Sequence, residues 1–120
     1  MEYKGVIIEE SLEKKDILGR IKILSTKVEQ VVDKHKTPWL KQWTLHTVLI
    51  DKETADDIAE QISKSFDYSH GPWYADFKND RTHYIIFKDK VFKVDRSKKE
   101  KYQKATDYGI SLGMPEYQVD

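Results

Sequence analysis

Trp73-Tyr74-Ala75-Asp76-Phe77-Lys78, then Asn79-Asp80-Arg81, then Thr82-His83-Tyr84-Ile85-Ile86-Phe87-Lys88, then Asp89-Lys90, then Val91-Phe92-Lys93-Val94-Asp95 is the stretch that decides the fold. Apolar and polar residues alternate within three short blocks, and the blocks are separated by turn-forming residues. That is the pattern of an antiparallel meander. A three-residue turn at 79–81 sets Trp73 against Phe87, Ala75 against Ile85 and Phe77 against His83. A two-residue turn at Asp89-Lys90 then sets Phe87 against Phe92 and Ile85 against Val94. The expected core face is therefore Trp73, Ala75, Phe77, Ile85, Phe87, Phe92 and Val94. The opposite face carries Tyr74, Asp76, Lys78, Tyr84, Ile86, Lys88, Lys93 and Asp95.

Working outward, 3–9 reads as a strand centred on Val6-Ile7-Ile8. Ser11 is placed to cap a short helix over 12–18, stopped by Gly19. The β-branched run 21–32 loses its alternation near Leu24-Ser25, where a bulge would restore register. A polar loop at 33–38 leads to a strand over 43–50. Behind Asp51, the spacing of Ala55, Ile58, Ala59, Ile62 and Phe66 predicts an amphipathic helix. Ser97 with Glu100 has the form of a capping box for a last helix running to Leu112, ended by Gly113 and Pro115. The expected order is β-α-β-β-α-β-β-β-α. It predicts an α+β fold with a mostly antiparallel or mixed sheet of five to six strands and about three helices on one face.

With 120 residues, the chain is expected to form a single domain. It has no cysteine, so disulfides, thiolate nucleophiles and cysteine-based zinc sites are excluded. The longest apolar run near the start is Val6-Ile7-Ile8, amid Glu2, Glu9, Glu10, Glu13 and Asp16. Neither a signal peptide nor a membrane span fits there, and a cytoplasmic protein is expected. Lys plus Arg and Asp plus Glu number 21 each, which argues against bulk nucleic-acid binding. Walker, Gly-x-Ser-x-Gly and Gly-x-Gly-x-x-Gly motifs are absent. No cofactor or metal is expected, because His35, His46, His70 and His83 lack ligand spacing.

In the expected register Tyr84 stands between Asp76 and Asp95, with Lys93 nearby. Two carboxylates around a phenol can split their pKa values, and one could then serve as an acid. The plainer reading is a solvated sheet face of cross-strand polar pairs. Trp39 and Trp43, four residues apart in Pro38-Trp39-Leu40-Lys41-Gln42-Trp43, could form a stacking platform or close a core edge. The candidate ligand-binding residues are Trp39, Trp43, His46, Tyr74, Asp76, Tyr84, Lys93 and Asp95.

The meander, together with the 38–46 segment, resembles a group of short prokaryotic proteins of about this length. The resemblance implies a stand-alone cytoplasmic protein and transfers no activity, cofactor or site. Three functions are expected to compete. The first is a module binding a small molecule or a protein through an aromatic and acidic surface. The second is a small enzyme using Asp76 or Asp95 with His46 or Tyr84. The third is a structural protein that self-associates through a sheet face or edge.

Overall fold

The computed structural model describes residues 2–32 and 37–114. Residues 33–36 of the expected 33–38 loop, and Pro115, lie outside them. Six strands form one antiparallel sheet: β1 (Tyr3–Ile8), β2 (Lys22–Gln30), β3 (Gln42–Ile50), β4 (Ala75–Lys78), β5 (Thr82–Phe87) and β6 (Lys90–Asp95). Across the sheet they run β2-β3-β1-β4-β5-β6. Two helices accompany them, α1 (Ala55–Ser63) and α2 (Glu100–Ser111). The fold is therefore α+β with an antiparallel sheet, in the order β-β-β-α-β-β-β-α.

The expected helix over 12–18 is not formed. The segment makes two 3₁₀ turns, Glu9–Ser11 and Asp16–Gly19. Ser11 does not cap; its hydroxyl is buried and donates to the Ile8 carbonyl at 2.6 Å. A short isolated turn does better by docking its backbone elsewhere, and Asp67 N–H reaches Ser11 O at 2.8 Å.

The two helices also do not share a face. Ile58, Ala59 and Ile62 of α1 pack with Tyr3, Ile7, Val48, Ile50, Phe77, Tyr84 and Ile86. Ala105 of α2 packs instead with Ile85, Phe87 and Val94, joined by Tyr74, Phe92, Tyr102 and Tyr108. Successive strand residues point to opposite faces, so the run Tyr84-Ile85-Ile86-Phe87 feeds both cores. This divides the expected core face: Trp73, Ala75 and Phe77 belong under α1, while Ile85, Phe87, Phe92 and Val94 belong under α2.

The register follows the same division. Ala75 faces Ile86 and Phe77 faces Tyr84, one residue away from the expected pairing. That slip puts the apolar residues of β4 beside Tyr84 and Ile86 under α1. The next turn has the expected two residues but lies one position earlier, at Lys88-Asp89, so that Phe87 faces Lys90 and Ile85 faces Phe92. Asp89 occupies its left-handed position with φ 58°, a conformation Asp tolerates better than most residues. The bulge near Leu24 is present, as a register shift between Ile23 and Ser25.

Gly5 allows β1 to lie close against β4. An added Cβ there would sit 2.0 Å from the Asp76 carbonyl oxygen and 2.7 Å from Phe77 Cα. At the end of α2, Gly113 (φ 95°) turns the chain so that Met114 N–H reaches Gly109 O at 3.1 Å. The capping box expected at the start of α2 is absent. Asp95 Oδ1 takes both the Ser97 hydroxyl, at 2.7 Å, and the Ser97 N–H, at 3.0 Å. Among the described residues no helix is long and apolar enough to cross a membrane.

Candidate functional site

The α2 helix covers the sheet face over β5 and β6. On the same face, no helix among the described residues lies above β1 and β3, and Val6 is 38% exposed. Pairing places a row of side chains across this open part. Lys22 faces Leu49, Leu49 faces Lys4, Lys4 faces Lys78, and Lys78 faces His83. Paired residues share a face, so Lys4, Lys78 and His83 stand side by side on three adjacent strands. Lys4, Lys22 and Lys78 are exposed. None of the three has an ion pair among the described residues.

Asp76 adjoins this row. Its Oδ2 lies 2.6 Å from His83 Nε2, and His83 Nδ1 lies 3.0 Å from the Tyr102 hydroxyl of α2. A carboxylate only accepts, so Nε2–H donates to Asp76. In the neutral ring Nδ1 then accepts from Tyr102. The Asp76 side chain is 38% exposed and that of His83 14%. The chain thus runs from the open face inward to α2, and it fixes the imidazole at the border of the covered region.

A second chain of the same type lies on the α1 face, near the β2 edge. His46 Nε2 is 3.0 Å from Glu9 Oε1, and His46 Nδ1 is 2.9 Å from Thr26 Oγ1. By the same reasoning Thr26 donates to the ring and the ring donates to Glu9. Glu10 beside it accepts from Thr44 N–H at 2.6 Å and from the Thr44 hydroxyl at 2.7 Å. His46 is buried and Thr26 is exposed. A hydroxyl, an imidazole and a carboxylate in this order could activate the hydroxyl, and the same bonds also tie β2 and the Glu9 turn to β3.

The other expected site residues are dispersed. Tyr84 is buried under α1, where its hydroxyl donates to Asp56. Lys93 reaches the same carboxylate at 3.2 Å and lies over the Tyr84 ring. Burial first, and then the Asp56 hydrogen bond, push the Tyr84 phenol well above its ordinary range. The hydrogen bonds from Tyr84 and Lys93 hold Asp56 below the usual carboxylate range. Tyr74 packs on Phe87 under α2, and its burial raises its pKa. Asp95, engaged with Ser97, lies in a shallow groove with Asp80, Arg81, Thr82 and Lys93.

Trp43 and Trp73 pack with the core under α1, whereas Tyr74 belongs to the cluster under α2. Trp43 meets Trp73 edge to face at 5.5 Å and donates to Thr37 Oγ1 at 2.9 Å. Trp39, 39% exposed, stacks on His70 at 5.2 Å. The expected Asp76–Tyr84–Asp95 cluster does not form, because the register slip gives each member a different partner. Asp76 holds His83, Tyr84 holds Asp56, and Asp95 holds Ser97.

The residues missed from the sequence are Lys4, Glu9, Thr26, Asp56, His83 and Tyr102. Each becomes significant only through a strand or helix distant in sequence. Among the described residues no three His, Asp or Glu side chains gather as a metal site would require. No family model, no curated protein and no solved structure matches the chain.

Proposed function

We propose that the chain is a small cytoplasmic binding module, without catalytic chemistry of its own, that holds a small organic anion on the open sheet face. The observation that carries this reading is the Lys4–Lys78 pair, two like charges directly opposite on antiparallel strands, neither in an ion pair among the described residues. Like charges so placed repel, and an anion seated between them relieves that repulsion. His83, facing Lys78 and held by Asp76, adds a fixed polar group at one end of the row. Val6 adds an apolar surface for the ligand's carbon skeleton. The anionic group is a phosphate ester or a carboxylate.

The test is thermal unfolding with matched phosphomonoesters and carboxylates. A ligand of the native state raises the melting temperature with its concentration. The shift is expected for one of the two series, diminished by added salt and lost in Lys4→Gln and Lys78→Gln. No shift with either series, or an equal shift in both variants, would refute the reading.

A second, enzymatic reading is favoured by one observation, the Thr26–His46–Glu9 order of hydroxyl, base and carboxylate. It predicts hydrolysis of an activated ester such as p-nitrophenyl acetate, removed by Thr26→Val and kept by Thr26→Ser. Hydrolysis unchanged by Thr26→Val would dismiss it.

A further inference from the structure

Both edges of the sheet are strands, and they are unlike. Half the residues of β6 are charged, Lys90, Lys93 and Asp95, which is how natural sheets discourage edge pairing. The β2 edge is nine residues long and almost wholly exposed, with Ile23 at 40%, Leu24 at 43% and Val28 at 51%. Val32, just past its end, is 51% exposed.

Backbone geometry shows which groups this edge presents. Val31 N–H bonds Lys41 O at 3.0 Å, so the odd-numbered residues after the bulge turn their peptide groups toward β3. Alternation then turns those of Thr26, Val28 and Gln30 outward, away from the sheet.

We propose that two copies of the chain pair antiparallel through β2, with the twofold axis at Val28. This register is selected by side-chain complementarity. It sets Lys27 against Glu29 of the partner subunit, and Glu29 against Lys27 of the partner subunit. It also sets Thr26 against Gln30 of the partner subunit and Leu24 against Val32 of the partner subunit. Val28 meets its own copy. A shift of the axis by one residue places Lys27 on Lys27 or Glu29 on Glu29, and half-residue shifts leave both charges without an opposite. The outward peptide groups of Thr26, Val28 and Gln30 then fall on the hydrogen-bonded pairs. Lys27 and Glu29 fall on the non-hydrogen-bonded pairs, where side chains approach most closely. Within one chain these two residues already form a salt bridge of 3.4 Å on a single face. The pairing exchanges that contact for two contacts across the axis.

The experiment is the molar mass of the full chain in solution, by light scattering at micromolar concentration and low salt. The wild type is expected at twice the monomer mass. Lys27→Glu and Glu29→Lys are each expected to be monomers, because each places like charges in opposition. The double variant Lys27→Glu/Glu29→Lys is expected to restore the dimer. Far-UV circular dichroism reports whether each variant is folded. A monomeric wild type, or a dimer indifferent to either single reversal, would overturn the proposal. The anion-binding reading is measured separately and stands or falls on its own.

Discussion

Lys4 and Lys78 face each other across β1 and β4, both exposed, on the face that α2 leaves open. The sheet tolerates this opposition because solvent screens exposed charges strongly. Changing one partner to an acid turns a repulsion into an attraction. Lys78→Glu is therefore expected to stabilise the protein by about 0.5 kcal/mol in urea unfolding at low salt. The same change should abolish anion binding. A destabilised Lys78→Glu would show that the two ammonium groups do not repel in the native state.

Tyr84 gives a signed pH dependence. Its phenol is held protonated by burial and by the bond to Asp56, so its folded pKa lies above the unfolded value. The stabilisation is complete below about pH 10, the unfolded value, and is lost as pH rises beyond it. Tyr68 and Tyr74, raised by burial, add to the same loss. Tyr84→Phe is expected to cost about 1 kcal/mol at neutral pH. It should also flatten the alkaline decline without abolishing it. Urea unfolding from pH 7 to 11 checks both statements.

The acid side has the opposite sign. Asp56 is lowered by its bonds from Tyr84 and Lys93, so its contribution is present above about pH 4 and fades as pH falls below that. In Tyr84→Phe the leading cause is removed, and this part of the acid decline should shrink. An unchanged acid limb in that variant would contradict the assignment.

Gly5→Ala tests the close approach of β1 and β4. The new methyl group would meet backbone atoms of Asp76 and Phe77, which cannot move without breaking the central pairing. A loss of about 3 kcal/mol is expected, the upper end of ordinary overpacking costs. Thermal unfolding measures it, and a loss below about 1 kcal/mol would mean that the strands separate easily.

Thr26→Val removes the hydroxyl that serves His46 Nδ1 while keeping side-chain volume. A buried acceptor left unpaired costs about 1–2 kcal/mol. Thr26→Ser should recover most of it. A loss in Thr26→Ser with none in Thr26→Val would point to packing of the methyl group instead.

Several parts of this fold were legible because one segment sufficed to read them. Broken alternation near Leu24 marks the bulge, and the spacing of Ala55, Ile58, Ala59 and Ile62 marks α1. The placement of α2 was not legible, because Tyr84-Ile85-Ile86-Phe87 has no polar side from which to choose a face. Placing every apolar residue on one face aligns Ala75 with Ile85, whereas it pairs with Ile86. The consequence reached the site, since a slip of one residue changes every cross-strand partner. Asp76 reads as a polar residue on a strand, whereas the expected register sets its diagonal neighbour His83 on the opposite face, against Phe77. Lys4 was passed over because nothing local shows that β1 lies beside β4.

That position of β1 bears on how the molecule is made. Of the six strands β1 is translated before the others, yet it is hydrogen-bonded on both flanks, by β3 on one side and β4 on the other. Until β4 has been translated, Val6-Ile7-Ile8 has at most one neighbour, and one of its edges stays open to other nascent chains. A truncated product that ends after α1 would keep that edge exposed permanently. Such fragments should aggregate, even though the part of the sheet they contain carries its own helix.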